Sequence, residues 1–471
     1  MSRMLSPWLA VAALLVSGSV RGDDSDAATL STTRPTALSL ESADETAGES
    51  DSAEAAEQRR LVEELREQQA AERRNEDAAR GDTSGFRNTA PFREVRSIEP
   101  PGGAGQILAF HTLADGGLVI ATGAGQRYGA GTLADAVVLL LRSTGGKPKS
   151  KPTNQLIWVD ASGAQRQAAP LPFACKGVTV APDGAVIAVG DDRVVVFSPE
   201  GEQLAEATAP HFQLTDEERA TFEAESAEQH REMLEIRQQQ LKQYTAVKDA
   251  IEAIPEEERT ARQQRELTTA VMVVKSMEES IQRHEASPEQ WIAGQLASAR
   301  SIHRVAASRD LLFLVAREPT GYGVWRCGRD FSAPEKIISG LSGCCGQMDV
   351  QVVGNELVIA ENSRHRVAIY AFDGEPLQTF GQASRTDVRK GFGGCCNPMN
   401  ACPGPDGTLL LSESSGLVKQ FAPDGTLLEI VGAADVPSGC KNSSIGLSTD
   451  GRTLYYLDIQ KGRVLVLEKK S

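Results

Sequence analysis

Two segments in the second half of the chain repeat each other: GCCGQMDVQVVGNELVIAENSRHRVAIYAFDGEPLQTFG (Gly343–Gly381) and GCCNPMNACPGPDGTLLLSESSGLVKQFAPDGTLLEIVG (Gly394–Gly432). Each segment opens on a Cys-Cys pair, has a methionine three residues after the second cysteine, and then alternates short apolar runs with turn dipeptides. Repetition over this length is typical of blade or array architectures. The sequence therefore predicts an all-β array of similar units.

Looser units of the same kind lie on both sides of the repeated pair. Their apolar runs are joined by Pro-Asp-Gly, Pro-Glu-Gly or Asp-Gly turns, in which proline presets φ and glycine accepts a positive φ. The last unit, residues 440–470, has room for three strands only. Since Phe92–Ile98 (FREVRSI) alternates like a strand, we predict that it supplies the fourth strand and closes a six-bladed β-propeller.

The β pattern stops between residues 214 and 299. Thr215 and Glu218 have the spacing of a helix capping box, and Pro255 separates two helical patterns. We predict a helical hairpin inserted in the propeller, whose apolar seam packs on its own second arm, on the propeller or on a partner helix. The predicted seam consists of Leu234, Leu241, Tyr244, Val247, Ile251 and Ile254 on the first arm and Val271, Val274, Met277 and Ile281 on the second.

The N-terminal residues resemble an export signal. Residues 1–22 have Arg3, an apolar core over Trp8–Val16, and the small or β-branched residues Val20 and Gly22 before a cleavage point. Residues 23–85 are rich in Ala, Glu, Ser, Thr and Arg, which predicts a disordered acidic tether. Within it, residues 52–80 predict a solvated helix, either alone or weakly self-associating as a coiled coil. The propeller then covers residues 86–471.

The composition excludes some classes of function. The net charge is -15, so the long-range positive field that gathers nucleic acid is missing. The sequence contains no G-x-S-x-G elbow, P-loop, H-E-x-x-H or EF-hand loop, so it predicts no particular catalytic reaction.

After the signal, no apolar run reaches the about 18 residues of a membrane span. We expect an exported protein, periplasmic or extracellular; a retained, uncleaved anchor is the alternative.

One repeat resembles the NHL-repeat family of six-bladed β-propellers. The likeness lies in ELVIAENSRHRVAIYAFDGEPLQTFG (Glu356–Gly381), where His365-Arg366-Val367 separates two apolar runs and Asp373-Gly374 makes the next turn. The second repeat is a degenerate version without the His-Arg pair. The resemblance implies a rigid disc used mostly for binding, with a minority of relatives acting as lyases or hydrolases on a metal-bearing axial face.

The eight cysteines follow the repeat. When the units are aligned by their turns, Cys345, Cys396 and Cys440 are level, and Cys175 falls close to the same place. All precede the first strand of a blade, which is the innermost strand of a propeller, so we expect their loops to meet at one mouth of the channel.

Three interpretations of this cysteine cluster stay open. The thiols form disulfides between neighbouring blades, as suits an exported protein; they bind a soft metal such as Cu(I) or Zn, or an iron–sulfur cluster; or they are buried free thiols. Vicinal disulfides would be strained, because adjacent Cα atoms are only about 3.8 Å apart. The candidate metal ligands are Cys175, Cys344, Cys345, Cys395, Cys396, Cys440, Met348 and Met399.

Four further residues receive weaker assignments. Cys327 and Cys402 are assigned to the core or to turns. His111 and His303 lie on first strands, where each faces either the channel or the core.

The sequence favours a noncatalytic scaffold module that binds a protein or a ligand, through the propeller face or the helical hairpin. No cofactor is assigned under this interpretation. The alternative is a metal-binding, redox-active protein whose site is the cysteine-lined mouth.

Export predicts a defined mature N-terminus. Because Gly22 precedes the cleavage point, we expect the protein recovered from its native compartment to begin at Asp23. Intact mass measurement together with N-terminal sequencing checks this. A chain that still begins at Met1 would contradict cleavage and favour the retained anchor.

Overall fold

The computed structural model describes residues 53–103, 105–124, 153–319, 321–344, 346–394, 396–439 and 441–470. The predicted signal and the first part of the tether lie outside these residues. The chain has two compact parts, residues 1–65 and 66–471, and the boundary falls within helix α1 (Ala53–Ala79). The following description concerns the second part.

The second part is mostly β, as predicted, and four of its sheets have four antiparallel strands each in chain order. Unit 1 contains β2 (Gln106–Thr112), β3 (Leu118–Gly123), β4 (Gln155–Val159) and β5 (Gln165–Pro170). Unit 2 contains β6 (Gly177–Val180), β7 (Val186–Gly190), β8 (Arg193–Phe197) and β9 (Gln203–Thr208). Unit 3 contains β10 (Ile302–Ala307), β11 (Leu311–Glu318), β12 (Gly321–Gly328) and β13 (Glu335–Leu341). Unit 4 contains β14 (Asp349–Val353), β15 (Glu356–Glu361), β16 (Arg366–Ala371) and β17 (Pro376–Phe380).

The remaining strands form one eight-stranded sheet with two halves. Unit 5 contains β18 (Asn400–Pro403), β19 (Leu409–Ser412), β20 (Leu417–Phe421) and β21 (Leu427–Ala433). Unit 6 contains β22 (Ile445–Leu447), β23 (Thr453–Asp458) and β24 (Arg463–Lys469), completed by β1 (Phe92–Ile98).

Strand β1 joins the start of the chain to its end. It pairs antiparallel with β24 from Phe92↔Lys469 to Ile98↔Val464, as predicted from the missing fourth strand. It also meets β21 in one parallel pair, Phe92↔Gly432, which makes the two halves one sheet.

The predicted turns have the expected backbone. In Pro182-Asp183-Gly184, the Gly184 N–H donates to Ala181 O at 2.8 Å, and Gly184 has a φ of +86° that a residue with a Cβ rarely adopts. Turn chemistry therefore sets where each pair of strands reverses.

Apolar clusters fill the space between successive units. Residues from units 1 and 2, 2 and 3, 3 and 4, 4 and 5, and 5 and 6 form separate clusters, and a further cluster joins unit 6 to unit 1. The first strands contact one another in the same cyclic order, β2, β6, β10, β14, β18, β22 and again β2. The first strands therefore surround a common centre.

Three helices lie between units 2 and 3: α3 (Asp216–Glu252), α4 (Ala261–Glu285) and α5 (Pro288–Arg300). Helix α3 begins with the predicted capping box, in which the Glu218 N–H donates to Thr215 Oγ1 at 3.2 Å. The chain leaves and re-enters the sheets at one place, since His211 Nε2 lies 3.1 Å from Ala299 O. No helix in the described part of the chain has the length and apolarity to cross a membrane.

The helical seam differs from the predicted one. Ile251, Val274 and Ile281 are buried as expected, whereas Tyr244, Val247 and Val271 are exposed. The remaining buried apolar positions of α4 are Leu267 and Ala270. The third helix α5 was not predicted and packs on both α3 and β11. Periodicity identified the helices but not which stripe of each would meet a neighbour.

The end of the predicted tether packs against unit 5. Ala78 and Ala79 at the end of α1, with Phe86 of helix α2 (Ser84–Arg87), are buried in a cluster with Leu417 and Ile430. Residues 60–70 of α1 are exposed, as expected of a solvated helix.

The role of β1 in closing the sheet can be tested with two substitutions on the same strand. Phe92 is 6% exposed and packs among unit 5 and unit 6 side chains, so Phe92→Ala should lower the free energy of unfolding by about 3–5 kcal/mol. Val95 is 50% exposed, so Val95→Ala should change it by less than about 0.5 kcal/mol. Urea denaturation measures both; equal effects would contradict a closing role for the buried face of β1.

Candidate functional site

The loops that lead into the first strands of units 4, 5 and 6 meet at one end of the central channel, called here the closed mouth (residues 343–344, 346–348, 396–399 and 441–444). Gln347, which is 1% exposed, joins all three. Its Nε2 donates to Met399 O at 2.7 Å and to Ser443 O at 3.3 Å, and its Oε1 accepts from the Ser443 N–H at 2.9 Å. The loops of units 4, 5 and 6 therefore converge, as the repeat predicts for these three units.

Asn362 fixes the first Cys-Cys loop. Its Oδ1 accepts from the Cys344 N–H at 2.7 Å, and its Nδ2 lies 3.3 Å from Cys344 O and 4.0 Å from Met399 Sδ. A buried amide with several partners holds a loop in one conformation, because each bond lost would leave a desolvated polar group.

The structure places five of the eight predicted metal ligands. Met348, Met399 and Cys396 are buried at the closed mouth, and Cys344 is half-buried there. Cys345, Cys395 and Cys440 lie outside the described residues. Among the residues that the structure does describe, no three His, Cys, Asp or Glu side chains form a group that could hold a metal. The metal site stays a prediction.

Cys175, the fifth, lies in the loop before β6. It is a free thiol, 1% exposed, and its Sγ donates to Gly177 O at 3.2 Å. Burial raises the pKa of this thiol to about 12. The interblade disulfide that was one interpretation of the cysteines is therefore not formed at Cys175.

Beyond the closed mouth lies a channel of about 450 Å³, a size usual for small-molecule sites. The first strands of units 1 to 6 supply its wall. It reaches the surface at the far ends of these strands, where Gly354 and Pro403 are exposed. A ligand would enter the channel from that end.

An ion pair in the wall gives the channel its charged groups. Arg304 Nε of β10 lies 3.9 Å from Asp349 Oδ1 of β14, and both side chains are less than 10% exposed. Asp349 Oδ2 also accepts from the Ala401 N–H at 2.9 Å. Burial raises the pKa of Asp349, whereas Arg304 and the Ala401 hydrogen bond oppose the shift.

His111 and Cys402 also line the channel. His111 Nδ1 lies 2.8 Å from Thr112 O, and burial lowers the pKa of this histidine, which keeps the ring neutral at neutral pH. Cys402 is a free thiol whose pKa burial raises to about 12. His111 thus faces the channel, and Cys402 belongs to the core cluster between units 5 and 6, as predicted, and also lines the channel.

The sequence analysis missed Arg304, Asp349 and Gln347. One sequence pattern could have identified part of the channel wall. Asp349 and Asn400 each follow one of the repeated methionines, and both line the channel. Arg304 lies in a unit without that repeat, so no pattern marked it.

Comparisons with known proteins give only remote structural likenesses. No protein-family model matches the sequence, and no curated protein matches it. A calcium-binding protein, regucalcin from Agrobacterium tumefaciens strain C58, is 10% identical over 80% of this chain and 96% of its own, with a TM-score of 0.40. A gluconolactonase from Xanthomonas campestris is 12% identical over 68% of this chain and 82% of its own, with a TM-score of 0.34. Identities and TM-scores this low carry no argument about this chain, so its fold is inferred from its own strand order.

The Gln347 junction predicts a measurable stability loss. Gln347→Ala leaves the Ser443 N–H and the Met399 carbonyl buried without this partner, which should lower the free energy of unfolding by about 2–4 kcal/mol. Gln240 is exposed on α3, so Gln240→Ala should have almost no effect. Chemical denaturation compares the two variants. If Gln347→Ala lowers the free energy of unfolding no more than Gln240→Ala does, Gln347 does not stabilise the three loops.

Three buried thiols should resist alkylation in the native protein. Burial raises the pKa of Cys327 to about 11 and those of Cys175 and Cys402 to about 12. About one thiol in a thousand or fewer is then ionised at pH 8, and the thiolate is the reactive form. Mass spectrometry after iodoacetamide treatment should find these three unlabelled in native protein and labelled after unfolding in guanidinium. Rapid native labelling at any of them would show that it is not buried.

Proposed function

We propose that the protein is an exported six-bladed β-propeller that binds a small polar molecule in its central channel. The cyclic order of the first strands and the cluster between units 6 and 1 support six blades. The signal-like residues 1–22 support export. A protein partner at the propeller face or at the helices stays a prediction from the sequence.

The observation that carries the ligand proposal is the Arg304–Asp349 pair in the channel wall. At 3.9 Å this contact is longer than a good charge-assisted hydrogen bond, so Arg304 keeps donor capacity for another partner, whereas Asp349 also accepts from Gln351 Nε2 at 3.3 Å and from the Ala401 N–H. Asn400 and Gln351 add amide groups beside them. Such a wall suits a ligand that both donates and accepts hydrogen bonds.

A channel-filling substitution tests this proposal. Val352 is half-buried in the channel wall, so Val352→Trp should fill the channel. Leu377 is exposed on β17, and Leu377→Trp is the matched control. Saturation-transfer NMR with a mixture of monosaccharides and dipeptides should give signals for wild type and Leu377→Trp that Val352→Trp loses. If no compound of the mixture gives a signal that Val352→Trp loses, a channel ligand is contradicted.

A soft-metal site at the closed mouth is the second candidate. It is supported by Gln347, which brings the loop of Cys344 to the loops that follow Cys396 and Cys440. Convergent thiolates with nearby thioethers are the ligands that copper, zinc or iron–sulfur centres prefer.

Elemental analysis of protein purified from its native compartment tests the metal candidate. Stoichiometric copper, zinc or iron should be present in wild type and in Cys327→Ser, because Cys327 lies in the core of β12. The metal should be lost when Cys345 and Cys396 are both replaced by serine. A metal content below stoichiometry in wild type would reject this candidate and leave the channel proposal untouched.

A further inference from the structure

A second pocket lies outside the channel, where α5 meets units 2 and 3. Its volume is about 690 Å³. Helix α5 lines one side with the small residues Ala293, Gly294 and Ala297, which leave room between the helix and the sheets. The opposite side presents Lys176, His303 and Arg317.

The cations of this pocket are only partly neutralised. Arg300 donates to Asp192 Oδ2 at 2.8 Å and is therefore paired. Lys176 Nζ donates to the neutral Ser301 Oγ at 2.6 Å, and Arg317 lies over the Tyr322 ring at 5.8 Å. Neither Lys176 nor Arg317 forms an ion pair with any carboxylate of the described residues. Two positive charges thus line the same pocket as the single remaining carboxylate of its lining, Asp191.

The electrostatic effect of these cations is visible on their neighbours. Burial lowers the pKa of Lys176, and the positive charges of Arg317 and Arg304 lower it further, against the opposing charge of Asp191. Burial, followed by the charge of Lys176, lowers the pKa of His303 to about 3. Burial is the largest cause for both groups, and a bound anion would offset the smaller contribution of the neighbouring cations.

Tyr322 adds a hydrogen-bonding group beside the cations. Its ring meets the His303 ring edge-on at 5.3 Å, and the residue is 1% exposed. Its hydroxyl is buried beside Arg317, whose side chain interacts with it and lowers the pKa of this tyrosine against the larger, opposite effect of burial. Tyr322 therefore contacts Arg317 through both its ring and its hydroxyl.

We propose that this pocket binds an oxyanion group, a phosphate or a carboxylate, between Lys176 and Arg317. The lysine ammonium supplies a point charge, and the arginine guanidinium supplies a planar pair of donors. The remaining space accommodates the rest of a small molecule that carries the anionic group. The inserted helices then have a role as one wall of a binding site.

Isothermal titration calorimetry on the full chain tests the proposal with inorganic phosphate and, separately, with acetate. Lys176→Met and Arg317→Met each remove one charge and keep an unbranched side chain. Each should weaken anion binding roughly tenfold, the effect of losing one charge-assisted hydrogen bond. Arg309→Met removes an exposed arginine from the turn before β11 and should bind as wild type does.

The outcomes distinguish this site from a general charge effect and from the channel. Lys176→Arg should retain binding, and circular dichroism should show that every variant is folded. Val352→Trp should bind the anion normally, because this pocket is independent of the channel proposal. The stronger of the two anions identifies the group. No binding by wild type in the millimolar range, or equal binding by Lys176→Met, Arg317→Met and Arg309→Met, would overturn the proposal.

Discussion

The antiparallel pairing of β1 with β24 is the constraint on which the rest of the fold depends. Without β1, β24 would be an open edge with unpaired N–H and C=O groups, and the parallel pair Phe92↔Gly432 that joins units 5 and 6 would be lost. The first strands contact one another in a cycle, so an opening between two units would alter the channel that all of them line. A segment near the start of the chain thereby fixes a site built mostly from its second half.

The two ends of the channel differ, because at one of them polar side chains join the loops of units 4, 5 and 6. Gln347 spans three loops there, and Asn362 holds the loop of Cys344. At the far end, the turns after the first strands leave the channel in contact with solvent. The Arg304–Asp349 pair lies in the wall between these ends, where low exposure strengthens electrostatic interactions with anything that enters.

Local chemistry explains what could be predicted from the sequence. The turn at Gly184, the helix start at Thr215 and the pairing of Phe92–Ile98 each depend on a few adjacent residues or on the strand count of one unit. The failures concern contacts between elements distant in sequence. Val271 fits an apolar helical stripe and is nevertheless exposed, and the partner of Arg304 lies in another unit. Periodicity specifies a face, whereas the neighbour of that face is decided by tertiary packing.

The two ends of the helical insertion lie side by side, with His211 and Ala299 in contact through one hydrogen bond. An insertion with adjacent ends places little strain on its host, because a short link can replace it without displacing β9 or β10. Shortening or replacing the helices would therefore alter one wall of the proposed anion pocket, whereas Lys176, Arg317 and the strands of the channel would remain. The size and shape of that pocket can then change without a change in the strands that surround the channel.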